Sequence, residues 1–208
     1  PPLFSSRRRH TRWCVRSRGL GDVYKRQGIE LRVHPTLIPE RRLIANVDGV
    51  MNAVLVKADA VGPTLYYGAG AGSEPTASAV VADIVDVVRT LTADPETRVP
   101  HLAFQPHALV DEQILTMDDV ETAYYLRMQA TDKPGVLADV TTILGKLGIS
   151  IEAILQKEPA PGVAEASIIL LTHTVEERQM VSAIGQIEDL DSIHGAVTRI
   201  RIERLCCD

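Results

Sequence analysis

The clearest periodic stretch begins at Tyr124. Tyr124, Leu126, Met128 and Ala130 alternate with Tyr125, Arg127 and Gln129, the two-residue period of a strand. Thr131-Asp132-Lys133-Pro134-Gly135 follows as a turn, because the residue before a proline is biased away from helix. Val136, Val140, Ile143, Leu144 and Leu147 then fall at helical spacing, and the helix is expected to end at Gly148. Ile149, Ile151, Ala153 and Leu155 alternate again. Pro159-Ala160-Pro161-Gly162 reads as a turn and Val163 to Thr172 as a strand. Thr174-Val175-Glu176-Glu177 has the form of a capping box, opening a helix with Met180, Val181, Ile184 and Ile187 inward. Val197 to Ile202 is the last strand. The order β-α-β-β-α-β is the ferredoxin-like split unit.

Upstream the pattern is looser. Ile29 to Val33 reads as a strand, confined to an edge by Pro35 and Pro39. Leu43 to Ala53 carries Asn, Asp and Gly and predicts a turn with a short helical piece. Ala53 to Ala58 and Thr64 to Tyr67 are short strands about a Gly62-Pro63 turn. Ala77, Val80, Val81, Ile84, Val85, Val88 and Leu91 then line one face of a long helix, with Ser73 or Glu74 as its expected N-cap. Three strands and one covering helix cannot close a good core alone, so this region reads as the tail of a larger α/β domain. Thr92 to Pro100 is polar and proline-bearing, as a linker is.

Composition adds bounds. The chain has 208 residues, enough for two small domains, and a 45% hydrophobic fraction supports packed cores. No apolar run reaches the length of a membrane span. Cys14, Cys206 and Cys207 lie near the two ends and cannot form a disulfide framework, which points to a reducing, cytoplasmic setting. His34 and His101 have no Cys, Asp or Glu at ligand spacing, so no metal is expected. The net charge of −5 is unevenly spread. Residues 1–27 hold eight basic side chains and one acid, leaving 14 basic and 26 acidic in the rest. An acidic body argues against nucleic acid as a partner.

The basic first 27 residues admit three readings: a nucleic-acid arm, an organelle transit peptide, or non-native sequence. Ser5-Ser6-Arg7-Arg8-Arg9-His10-Thr11-Arg12 and Val23-Tyr24-Lys25-Arg26-Gln27 resemble translated sequencing-adapter read-through, and the segment is expected to contribute nothing to folding.

The chemistry-bearing stretch is Tyr66 to Ile84. Gly68, Gly70 and Gly72 alternate through a loop that enters the long helix, with Pro75 and Thr76 in its first turn. Such a loop is either a tight turn or, because helix starts present free N–H groups, an anion site. It lacks the third glycine and the following acid of the dinucleotide fingerprint.

The order Gly68-x-Gly70-Ala71-Gly72-x-x-Pro75-Thr76-x-x-Ala79-Val80 closely resembles the end of the catalytic region of homoserine dehydrogenase. Val33-His34-Pro35-Thr36-Leu37-Ile38-Pro39 and Asn46-Val47-x-Gly49-x-x-Asn52-Ala53 resemble it too. Thr131-Asp132-x-Pro134-Gly135-Val136-Leu137 with Leu147-Gly148-Ile149-Ser150-Ile151 resembles the ACT domain, an amino-acid-sensing module. The resemblance implies a mixed α+β and α/β chain: 1–27 non-native or disordered, 28–93 the tail of a homoserine dehydrogenase catalytic domain, 94–121 a linker, and 122–204 a ferredoxin-like (βαββαβ) ACT domain.

It further implies an oxidoreductase that interconverts L-homoserine and L-aspartate 4-semialdehyde with NADP or NAD, on the route to threonine, methionine and isoleucine. Gly68, Gly70, Gly72, Pro75 and Thr76 would lie beside the cofactor. An effector, L-threonine, would lie near Asp132, Gly135, Val136 and Leu137, with Gly148, Ile149 and Ser150 reaching it from a neighbouring subunit of a homo-oligomer. The family's catalytic lysine matches no residue here, so these 208 residues alone are expected to be inactive. Lys57 reads as an exposed strand charge. The other reading is a non-catalytic amino-acid-sensing or dimerisation module.

Overall fold

The computed structural model describes residues 13–16 (backbone only), 28–58, 60–94, 107, 109, 111, 113–157 and 165–205. The Pro159–Gly162 turn and most of the 94–121 linker lie outside them. The chain forms two compact units, one of residues 1–39 with 113–206 and one of 40–112 with the last two residues. This division differs from a boundary at 93/94.

The first unit is built on one sheet. Its strands are β1 (Trp13–Arg16), β2 (Arg32–Leu37), β5 (Glu121–Thr131), β6 (Ile151–Lys157), β7 (Glu165–Thr172), β8 (Val175–Glu176) and β9 (Ile193–Ile202), in the order β1-β2-β9-β5-β7-β6, with β8 paired to β5. The helices are α2 (Val136–Lys146) and α3 (Glu177–Glu188). The run β9-β5-β7-β6 is the ferredoxin-like sheet predicted for 122–204. Alternation places Tyr124, Leu126, Met128 and Ala130 in the core against Val140, Leu144, Met180 and Ile187 of the helices. Val181 is exposed rather than inward, one position off the stripe of Met180, Ala183 and Ile187. The α3 cap lies two residues later than expected: Val175–Glu176 pairs with β5, so Glu176 and Gln179 form the capping box.

A strand from the upstream segment extends this sheet. β2 runs parallel to β9 at Thr36↔Arg201 and Leu37↔Ile202, and Glu203 N–H donates to the Leu37 carbonyl at 2.9 Å. Pro35, which has no N–H, precedes the positions paired with β9 and stands opposite Trp13 of β1, so β2 spans Arg32–Leu37 with a strand on each side and is not the edge strand expected over Ile29 to Val33. Ile29 also bridges Ile114, with Ile29 N–H on the Gln113 carbonyl and Leu115 N–H on the Ile29 carbonyl. Residues 113–121 are therefore part of this unit rather than linker. β1 lies antiparallel to β2 although its sequence has no strand period, because an edge strand's backbone accepts a partner regardless of side-chain pattern.

β2 turns Arg32, His34 and Thr36 inward. The Arg32 side chain is fully buried between Glu30 (2.5 Å) and Glu203 (3.1 Å). Buried charges require such partners.

The second unit holds a 3-10 turn (Leu43–Asn46), the antiparallel hairpin of β3 (Met51–Ala58) and β4 (Gly62–Ala69), and α1 (Ser73–Thr92). No residue of α1 is buried; Val80, Val81, Ile84, Val88 and Leu91 are all exposed among the described residues. The apolar stripe is real, but nothing described here covers it.

Two outcomes are expected. Arg32→Met, which leaves Glu30 and Glu203 buried without their cation, should lower stability by about 3–5 kcal/mol, measured by urea unfolding; a loss within error would contradict the buried triad. A 100–208 fragment, lacking β2, should unfold at lower urea than the whole chain.

Candidate functional site

The glycine loop joins β4 to α1, and each glycine there answers to a different constraint. Gly72, at φ +125°, is the N-cap, in place of Ser73 or Glu74; only glycine adopts that backbone readily. A side chain on Gly70 would run into the Asn52 carboxamide, whose Cγ is 2.7 Å from the added carbon, and Gly70 N–H donates to the Val50 carbonyl. Gly68 lies within β4 opposite Asn52, and a side chain there would meet nothing within 4 Å. Pro75 is the third helical residue and Thr76 N–H makes the first helical bond, to the Gly72 carbonyl.

The start of α1 is a poor anion site. Pro75 contributes no donor, and Glu74 already places a carboxylate in the first turn. Lys57 is exposed on β3, as expected. No group of three potential metal ligands occurs among the described residues.

The second candidate lies in the sheet-bearing unit. A cavity of about 420 Å³ opens where β5 turns into α2. Ala130, Ala166 and Ile168 form its buried apolar floor. Thr131, Asp132, Lys133, Gly135, Val136, Leu137 and Gln156 form its rim. Gly135 is left-handed (φ +100°) and caps α2, so the first-turn N–H groups have no intrahelical partner. Gln156 Nε2 reaches the Asp132 carboxylate at 3.5 Å.

Four of the seven expected effector residues thus line one cavity. Gly148, Ile149 and Ser150 do not: Gly148 ends α2 at φ +72°, Ile149 is core, and the Ser150 carbonyl accepts from His173 N–H. Gln156 and Lys133 were missed. Gln156 is 19 or more residues away in sequence from the rest of the rim, and the β6–β7 register brings it there.

Also missed was a buried ionic centre. Glu177 at the start of α3 accepts from Tyr124 Oη (2.6 Å), Arg199 (2.7 Å) and Arg201 (2.6 Å). Burial opposes its ionisation, but those hydrogen bonds and the two guanidinium charges outweigh it and hold its pKa below the ordinary carboxylate value. The Tyr124 hydroxyl is raised well above its usual range by burial and by its bond to Glu177. His34, bonded to Thr36 at 3.1 Å, is lowered below 6.5 chiefly by burial. The Pro35 carbonyl and Glu203 oppose the shift, while Arg201 and Arg32 add to it.

Both the glycine loop and the cavity lie in stretches similar to known proteins. Residues 8–85 match the homoserine dehydrogenase family model and residues 124–192 the ACT domain model. Homoserine dehydrogenase of Pseudomonas aeruginosa is 63% identical over 178 residues, 86% of this chain and 41% of that protein. The matched residues belong to the homoserine dehydrogenase family. The Neisseria gonorrhoeae homoserine dehydrogenase is 57% identical over 182 residues, again 86% of this chain and 41% of the relative. The crystal structure of a homoserine dehydrogenase from Thiobacillus denitrificans superposes with a TM-score of 0.79 at 61% identity, over 93% of this chain and 43% of that one. The chain therefore spans about two-fifths of the relatives it matches. The homoserine dehydrogenase match contains the whole glycine loop, and the ACT match contains every residue of the cavity.

Acid should weaken the β2–β9 seam through His34. Its folded pKa is depressed, so below about 6.5 the unfolded chain binds a proton that the folded chain excludes, and stability falls with pH. Urea midpoints at pH 7.5, 6.5 and 5.5 should decline less steeply in His34→Gln; parallel declines would rule this out.

Proposed function

We propose that this chain supplies two parts of a homoserine dehydrogenase, a cofactor-side loop and an amino-acid-sensing ACT module. The observation that carries the reading is the 63% identity to a homoserine dehydrogenase across a stretch that includes both sites. The reaction is the interconversion of L-homoserine and L-aspartate 4-semialdehyde in the cytoplasm, feeding threonine, methionine and isoleucine synthesis. In the reducing direction a hydride goes to the aldehyde carbon and a proton to its oxygen. NADP or NAD, when bound, supplies the hydride.

The residues present fit one end of such a cofactor. The bare backbone at Gly68 lets a flat ring approach. Gly72 and Pro75 fix the turn into α1, and Thr76 closes its first helical bond. The Glu74 carboxylate favours a nicotinamide, cationic when oxidised, over a pyrophosphate. The proton-transfer lysine matches no residue of these 208.

At the cavity, the α2 N–H groups suit a carboxylate and Asp132 an ammonium, over a floor of small aliphatic side chains. L-Threonine, the pathway's end product, has those three features. Gly148, Ile149 and Ser150 would reach it from a second subunit of a homo-oligomer.

Gly68→Ala is the discriminating variant. It meets no atom and requires no positive φ, so folding should be unaffected. Grafted with this chain's matched region into the Pseudomonas aeruginosa relative, it should raise the cofactor KM with the semialdehyde KM unchanged; an unchanged cofactor KM would reduce the loop to a turn. The 208-residue chain alone should not oxidise NADPH with aspartate semialdehyde. Calorimetry on the whole chain should give heat with threonine, with Kd on the order of 10 μM to 1 mM, and none in Asp132→Ala. No heat with threonine would leave the ACT domain a dimerisation element.

A further inference from the structure

Asn52 stands on β3 directly opposite Gly68 of β4, and the two strands' faces alternate so that Gly68 and Gly70 lie on the Asn52 side. A side chain in that place can lean toward either glycine. It leans toward Gly70: the carboxamide fills the volume a Cβ on Gly70 would need, whereas the space over Gly68 is open to 4 Å. No described residue hydrogen-bonds the carboxamide, so packing on Gly70 is what places it. Gly70 itself has no positive φ, unlike Gly72. Its lack of a side chain is therefore a requirement set by Asn52 and not by the backbone.

The geometry points to Asn52 as the positioning residue of the glycine loop. By resting on Gly70, next to the Gly70 N–H bond to Val50, it holds the loop flat between β4 and α1 and keeps the surface over Gly68 clear. The inference rests on the reading that this surface faces the cofactor, and its test separates the two.

Two arms are needed. In the 208-residue chain, hydrogen exchange of the Gly68–Gly72 amides reads the loop directly, with no ligand. Asn52→Ala should speed that exchange roughly tenfold, whereas Asn52→Asp, which keeps the shape, should not. Gly70→Ala should disturb the loop, and the pair Gly70→Ala with Asn52→Ala should recover protection, because the added methyl then occupies the vacated space. A double variant no better than Gly70→Ala alone overturns the proposal.

In the grafted enzyme, Asn52→Ala should raise the cofactor KM on the order of tenfold with the semialdehyde KM unchanged, a split that general loss of stability would not produce. If Gly68→Ala raises the cofactor KM and Asn52→Ala does not, the cofactor reading stands and the Asn52 proposal falls. If neither raises it, both fall.

Discussion

Glu177 opens α3, and its carboxylate faces the sheet at a point where two strands meet. Tyr124 of β5 and Arg199 and Arg201 of β9 all donate to it. The helix start, the central strand and the last strand are thereby fixed to one another through a single residue. A carboxylate this buried stays ionised only while its donors compensate the burial, so losing any one of the three leaves the charge less well held. Arg201 is also the residue opposite Thr36, so the same strand that anchors α3 receives β2. The cavity lies at the other end of the same strand, past a shift in the β5–β9 register between Arg127 and Gln129.

The alternation of β5 and the helical stripes of α2 and α3 were legible in the sequence, because each is a local pattern with a solvent side and a core side. Glu177 was not. A Glu three residues after a Thr reads as a cap, and only the folded register reveals that its carboxylate points into the sheet. The same limit hid Asn52 and Gln156. Each acts on a residue that neighbours it only across a ladder, and ladder register is set by tertiary pairing. Asp132, Gly135, Val136 and Leu137 were legible because they are contiguous, so one turn delivers them all to one place. Gly148 to Ser150 do not line this chain's cavity, and they were expected to reach it from a neighbouring subunit.

The glycine loop was readable as a motif and misleading as chemistry. Alternating glycines before a helix suggest an anion site, yet the three glycines serve three ends: one a backbone angle, one the room for Asn52, and one an unobstructed surface. Glu74 and Pro75 remove much of what a helix start offers an anion. The apolar stripe of α1 was also legible, but among the described residues none of α1 is buried. A helix rich in valine has modest intrinsic stability, so the loop's geometry is only as firm as whatever covers that stripe.

The β2–β9 seam has a consequence for how the chain is made. Arg32 and Glu203 are 171 residues apart. At ordinary rates of synthesis, roughly 10 to 30 s pass between the appearance of Arg32 at the ribosome and the appearance of its partner. For that interval a strand bearing a charged inner face has β1 beside it but not β9. The ferredoxin-like core can assemble first, from strands close in sequence, and closing the long loop to β2 is then the late step. A nascent chain halted short of β9 would leave that strand, and the seam it makes, waiting.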